Sequence, residues 1–299
     1  MIIQIYEIQT PNDAEKCIQL GVDHLGSVLL SQDEWRVQEL KEVFLATQGT
    51  DAKNSLIPLF RDMDTLYRTL DYYQPHFVHF YDSLTDDNGN ETELEEFIRL
   101  QSSLKQKFPG VGIIRSIPIP RNGTSPHFPT PKIARELEPV SDIFLTDTWL
   151  GKEPVKGYIG ITGKTADWEM ARELVIQSNI PVILAGGLSA ENVYNVLMKV
   201  SPAGADSCTG TNRVNQEGKS IRFEKDFSKV EEFVKETRRA EKAIHLKKEG
   251  LILELNELKE ELEEREASLP AHSVRPHQLI VIEELEEAIE AKEMEIKSM

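Results

Sequence analysis

Eight short apolar runs alternate with helix-length segments through the first 240 residues, and this alternation limits the fold more than any other feature of the chain. The runs lie near 2–8, 23–30, 55–59, 76–81, 112–118, 142–146, 181–185 and 205–208. Segments of helical period fill 11–20, 33–47, 62–73, 91–107, 131–137, 167–178, 190–200 and 226–240. Pro11 suits a first helical turn, Asp62 precedes the third helix, and Ser189 stands as an N-cap before Ala190. Runs this short and nearly continuous read as parallel strands buried on both faces. Strand–helix alternation then implies a parallel sheet with crossover helices, closed into a barrel or doubly wound. The glycine-rich loops decide between the two. They follow the seventh and eighth strands, where barrels hold phosphate, whereas a dinucleotide-binding sheet carries its glycines after the first. The expected fold is therefore α/β, a (β/α)8 TIM barrel over residues 1–240.

The loop after the seventh strand reads Ala185-Gly186-Gly187-Leu188-Ser189. Its paired glycines let backbone approach an anion, and the free N–H groups of a helix starting near Ala190 are expected to face the same place. After the eighth strand come Thr209, Gly210 and Thr211, a second cluster of small donor-rich residues. Their joint position at the phosphate end of a barrel makes them candidate binding residues. A third stretch, Gly160-Ile161-Thr162-Gly163-Lys164-Thr165, contains Gly-Lys-Thr but is not a nucleotide-binding P-loop. That motif needs a glycine five residues before Gly163, and position 158 is Tyr. A mobile loop after the sixth strand, closing over a ligand, is the better account, with Gly163 on its ligand side.

Charge and cysteine usage exclude several classes. A net charge of −17 opposes binding to nucleic acid, whose phosphates must be met by Lys and Arg. The N-terminus has no basic, long apolar leader, and no run approaches a membrane span, so a soluble chain with no membrane partner is expected. The two cysteines, Cys17 and Cys208, form no disulfide or zinc spacing, which points to a reducing cytoplasm. No metal or cofactor is expected.

The stretches Gly160–Trp168, Leu184–Asn192 and Asp206–Asn212 together resemble phosphoribosylanthranilate isomerase, a family of tryptophan biosynthesis. The opening Pro11–Glu15 and Leu20–Gly26 segments are similar to the same family, and the likeness covers about residues 1–235. It implies an Amadori rearrangement, in which an N-linked ribose phosphate becomes an amino-ketose. An acid on strand six opens the furanose ring and a base on strand one removes the sugar C2 proton. By this resemblance Asp147, in Thr146-Asp147-Thr148, takes the acid's place. At the carboxyl end of a barrel strand it would face the site, where burial favours a held proton. A turn-capping role is the alternative.

The base departs from the pattern. The family's Lys-Ile-Cys-Gly is here Gln4-Ile5-Tyr6-Glu7, with Tyr6 in the cysteine's place. A phenol is a poor base at neutral pH unless its pKa is depressed. Glu7, by strand alternation, should point away from the barrel interior. The family's Gln-Leu-His-Gly becomes His79-Phe80-Tyr81-Asp82, so His79 is either a replacement base or a hydrogen-bonded packing residue. Arg115 fits the family's basic position on strand five, and Arg36 lies near the arginine that meets the anthranilate carboxylate. Three readings follow: a sugar-phosphate isomerase with an altered substrate, a phosphoribosylanthranilate isomerase with an unusual base, or a non-catalytic phospholigand sensor or scaffold. The first two predict a phosphorylated sugar as ligand, and because Tyr6 cannot easily take the C2 proton, poor or absent turnover of phosphoribosylanthranilate is expected. A Schiff-base aldolase is disfavoured because no lysine falls within the eight assigned strands.

Residues 241–299 differ in kind. They carry 16 acidic and 8 basic residues, a net of −8. Ile244, Leu251, Leu255, Leu258 and Leu262 form one apolar seam, and Ile282, Leu285, Ile289 and Ile296 form another that Lys292 interrupts. Pro270 and Pro276 preclude a single helix, so a coiled-coil-like helical hairpin is expected, forming a homo-oligomer or meeting a protein partner. His272 and His277 in its turn are expected to be solvent-exposed rather than metal ligands.

Overall fold

The computed structural model describes residues 1–123, 127–152, 157–160, 163–270, 275–297 and 299. Eight parallel strands close on one another in sequence order, with β8 returning to pair with β1. They are β1 (Ile2–Ile5), β2 (His24–Leu29), β3 (Lys53–Pro58), β4 (Phe77–Phe80), β5 (Gly112–Pro120), β6 (Ile143–Trp149), β7 (Val182–Leu184) and β8 (Gly204–Ser207). The intervening helices are α1 (Pro11–Gln19), α2 (Gln38–Ala46), α3 (Met63–Tyr73), α4 (Glu95–Lys107), α5 (Thr130–Leu137), α6 (Trp168–Gln177) and α7 (Val193–Val200). This is the (β/α)8 TIM barrel expected from the alternation.

Two layers of packing hold the barrel. Val28, Ile57, Ile114, Leu145 and Ile183 fill its interior, while the alternate residues Val78, Phe80 and Ile113 meet Leu66, Leu70 and Leu104 on the helices. That period of two is the parallel strand's own, and it places every second residue of each strand end inside the barrel. Helix starts follow local chemistry. Thr10 accepts from Asp13 N at 3.2 Å with Pro11 in the first turn, and Asp62 accepts from Thr65 N at 2.9 Å. Asp167 likewise caps α6.

The structure corrects the starts of α2, α4 (Glu95 rather than 91) and α7, and adds a hairpin. Helix α2 starts at Gln38 rather than near 33, with Ser31 to Val37 preceding it as loop. Helix α7 starts at Val193: Asn192 Oδ1 accepts from Ser189 N at 2.9 Å, folding 189–192 into a turn where a helical start was expected. After β8 the chain makes a short 3-10 turn, Thr209–Thr211, and then an unforeseen antiparallel hairpin, β9 (Asn212–Val214) and β10 (Ser220–Lys225).

The chain divides into two compact units, Met1–Arg239 and Ala240–Met299. Helix α8 (Phe227–Ala267) runs without a break through residue 240, and α9 (Pro276–Lys297) follows. Within the second unit Leu251, Ile282 and Leu285 are buried. Ion pairs Lys292–Glu254 (2.7 Å) and Lys259–Glu293 (2.6 Å) join α8 to α9, so the seam lysine is held by a carboxylate of the facing helix. His272 lies outside the described residues, and no described helix is long and apolar enough to cross a membrane.

Candidate active site

The carboxyl ends of the strands surround a cleft open to solvent on one side. Tyr6, His79 and Asp147 line it, together with Gly163, Gly186, Gly187 and Thr209. The structure therefore brings seven of the sequence-derived candidates to one place.

One rim is built by loops clamped to β6. Thr146 Oγ1 donates to Ala185 O at 2.9 Å and accepts from Ala185 N at 2.8 Å. Thr148 Oγ1 donates to Lys164 O at 2.7 Å, fixing the loop after β6 beside the loop after β7. Gly187, at φ +67°, lies where an added Cβ would stand 2.8 Å from the Lys164 carbonyl carbon, so only glycine fits there without displacing backbone. A cradle of backbone from three loops suits an anion. Gly210 and Thr211 brace it from behind rather than line it. Gly210 packs against Leu188 O, and Thr211 Oγ1 donates to Cys208 O at 3.0 Å. Ile161 and Thr162 lie outside the described residues.

Asp147 is nearly buried at the cleft floor. It accepts from Tyr81 Oη at 2.9 Å, and Thr148 N donates to its Oδ1 at 2.7 Å. Gly160, at φ +85°, passes directly over this carboxylate, where a Cβ would collide with Asp147 and Tyr81. Asp206, on β8, is a second buried carboxyl in the same cleft. Burial pushes its pKa up; a hydrogen bond from Gln4 Nε2 at 3.2 Å offsets this only partly, and the nearby Asp147 charge adds to the rise, to about 8.

The residues considered as bases are engaged elsewhere. Tyr6 Oη lies 3.0 Å from Ser55 Oγ and 2.6 Å from His79 Nδ1, and His79 Nε2 lies 2.8 Å from Ser116 Oγ. Burial raises the phenol of Tyr6 well above its ordinary pKa. Burial also lowers His79, with the Arg115 charge adding to it, to about 3. Both side chains are thus neutral members of a buried relay, with both imidazole nitrogens occupied.

Arg36 and Arg115 are not brought to the cleft. Arg115 alternates outward from Ile114 on β5, fully buried, with Nη1 2.8 Å from Asp82 Oδ2 and its guanidinium 4.9 Å from the Phe97 ring centre. Arg36 lies in the loop before α2, stacked 4.7 Å from the Tyr72 ring centre. Glu7 corrects the expectation in the other direction. Strand β1 ends at Ile5, and at Glu7 the backbone turns to φ +63°, so strand alternation no longer applies. Its buried carboxylate lines the cleft and accepts from Arg222 Nε (2.6 Å), Asn212 Nδ2 (2.9 Å) and Phe223 N (3.2 Å). Burial pushes its pKa up, but these hydrogen bonds outweigh it and the net lies below the ordinary value.

Four lining residues beyond the sequence candidates and Glu7 carry polar chemistry: Tyr81, Asp206, Cys208 and Arg222. Asp206 stood at the end of an assigned strand beside the Thr209–Thr211 cluster, a position signal that could have found it. Arg222 belongs to the unforeseen hairpin and had no such signal. Among the described residues no cluster of His, Cys, Asp and Glu is arranged to hold a metal ion.

Comparison with known proteins places this geometry. The sequence model of the N-(5'-phosphoribosyl)anthranilate (PRA) isomerase family matches residues 100–236. The N-(5'-phosphoribosyl)anthranilate isomerase of Methanothrix thermoacetophila is 30% identical over 244 residues, covering 79% of this chain and 97% of the relative. The chain belongs to the phosphoribosylanthranilate isomerase family. The Aquifex aeolicus enzyme of that name is 27% identical over 238 residues, 79% of this chain and 98% of the relative. Other family members align over less: the match to the Methanosarcina acetivorans isomerase, 31% identical over 130 residues, spans 43% of this chain and about half (51%) of that relative. Among solved structures, the Thermotoga maritima isomerase superposes with a TM-score of 0.56 at 17% identity, covering 80% of this chain and 99% of that one. The Pyrococcus furiosus isomerase gives 0.54 at 20% identity over the same shares. These likenesses extend the family's fold to the barrel.

Proposed function

We propose that the chain is a working phosphoribosylanthranilate isomerase whose proton acceptor is a carboxylate rather than a residue at the end of strand one. The observation that carries this reading is the pairing, in one cleft, of Asp147 with a backbone anion cradle. The cradle takes the ribose phosphate through neutral N–H donors of the Gly163, Gly186–Gly187 and Thr209 loops. Asp147 gives its proton to the furanose ring oxygen, the ring C–O bond breaks, and a protonated imine forms at C1. Loss of the C2 proton then yields an enolamine, which tautomerises to the amino-ketose.

Tyr6 and His79 are unsuited to take that C2 proton, the first too weak an acid to ionise and the second too weak a base. Glu7 is held ionised by three donors, which also makes it a poor base. Asp206 combines burial, one hydrogen bond from a neutral amide and a pKa near neutrality. Gln4 stands where the family motif has Lys, so the carboxyl lacks a cationic partner on that side. Lys225 is bonded to Asn212 Oδ1 and Cys208 O, at 2.5 and 3.0 Å, and its charge lowers the Asp206 pKa less than burial raises it. A carboxyl left this basic suits proton abstraction near neutral pH. Two buried acids in the same cleft as the cradle favour an enzyme over a non-catalytic sensor.

Growth tests this directly. Expressed in a bacterium lacking its own phosphoribosylanthranilate isomerase, the chain should restore growth without tryptophan, and Asp147→Asn should not. Failure of the wild-type gene, with protein present and folded, would remove the isomerase reading.

A further inference from the structure

We infer that Arg222 is the specificity residue of the cleft, receiving the carboxylate on the aromatic end of the substrate. The inference rests on the isomerase reading above. That substrate carries two anionic groups at its ends, a phosphate and an ortho-carboxylate on an aryl ring. The backbone cradle accounts for one of them. Of the acids that line the rest of the cleft, Glu7 is held ionised and would repel a second anion, and Asp147 and Asp206 offer it no cation. Arg222 is the one Lys or Arg among the described residues that line it.

Its position is built rather than incidental. Nε donates to buried Glu7 Oε1 at 2.6 Å, and the guanidinium lies 4.6 Å from the centre of the Phe223 ring. Phe223 N in turn donates to Glu7 Oε2 at 3.2 Å, with Phe223 at φ +64° and Glu7 at φ +63°. Two non-glycine residues in left-handed backbone, joined by a hydrogen bond, fix β10 to the end of β1 and hold the arginine at the cleft. Among the described residues its Nη groups have no hydrogen-bond partner, which leaves a planar pair of donors for a carboxylate. Arg222 is 37% exposed, so its outer donors reach incoming ligand.

The test is a binding cycle with ligands that do not react, read by calorimetry. One is reduced 1-(o-carboxyphenylamino)-1-deoxyribulose 5-phosphate; the other is the same molecule without its carboxyl group; inorganic phosphate is the third. Arg222→Gln should weaken the first ligand about 30- to 300-fold, change the second by less than about threefold and leave phosphate unaffected. Arg222→Lys keeps the charge and the Glu7 pair, and should recover most of the loss. Equal losses for both sugar ligands would overturn the assignment, and a parallel loss of phosphate affinity would move Arg222 to the phosphate end. Wild-type protein that binds neither sugar ligand would instead defeat the isomerase reading itself.

Discussion

Asp206 and Tyr6 show how the chemistry of a residue depends on its neighbours more than on its type. Tyr6 stands in the place of the family's cysteine, yet its hydroxyl is closed into the Ser55–Tyr6–His79–Ser116 relay. Asp206 faces the cleft with its pKa raised to about 8, chiefly by burial. A base must be ionised, so kcat/KM should rise about tenfold per pH unit as the pH climbs toward 8, and fall again only where the acid Asp147 loses its proton. Asp206→Asn should remove that limb and lower kcat by roughly 10²–10⁴-fold. A profile flat from pH 6 to 9, or an Asn variant within tenfold of wild type, would take the role away from Asp206. The sequence put Tyr6, His79 and Asp147 at strand ends that share one cleft, because period-two alternation holds along those strands. It misplaced Glu7, since alternation fails where β1 ends and the backbone turns left-handed. Arg115 was misread because a basic residue on a strand can as well face the helices, here meeting Asp82, and the strand's own sequence does not reveal that partner.

At the scale of elements, the eight strands and the order of their helices were legible because buried parallel strands are short apolar runs and crossover helices are amphipathic. The start of α7 was not, because Asn192 bonding back to Ser189 closes a turn that outcompetes a helical start. The β9–β10 hairpin was also missed: its strands are short and half-exposed, and the alternation of Ile221 and Phe223 with Arg222 and Glu224 spans only two apolar positions. The loops after β6 and β7 are assigned to the phosphate, and Gly187 is their tightest contact. Gly187→Ala would set a Cβ 2.8 Å from the Lys164 carbonyl carbon in left-handed backbone. It should weaken inorganic phosphate, measured as a competitive inhibitor, by at least about tenfold while Arg222 and Asp147 are untouched. Unchanged inhibition would show that the anion sits elsewhere.

For the whole molecule, we propose that residues 1–240 fold and bind phosphosugar ligand on their own, with 241–299 serving association. Val230, Phe233 and Thr237 of α8 are buried and remain in the shorter chain. A chain ending at residue 240 should keep a cooperative thermal transition and ligand affinity within about threefold, while its sedimentation reports a changed association state. Loss of the transition would mean that the long helix α8 cannot be cut there. The central claim concerns Asp147, and purified protein tests it most directly. Full-length wild type should convert phosphoribosylanthranilate, followed by loss of its fluorescence. Asp147→Asn should lower kcat by roughly 10²–10⁴-fold with KM changed little, because the ring-opening proton acts in the transition state. Conversion by Asp147→Asn within tenfold of wild type would contradict the assignment of Asp147 as the ring-opening acid.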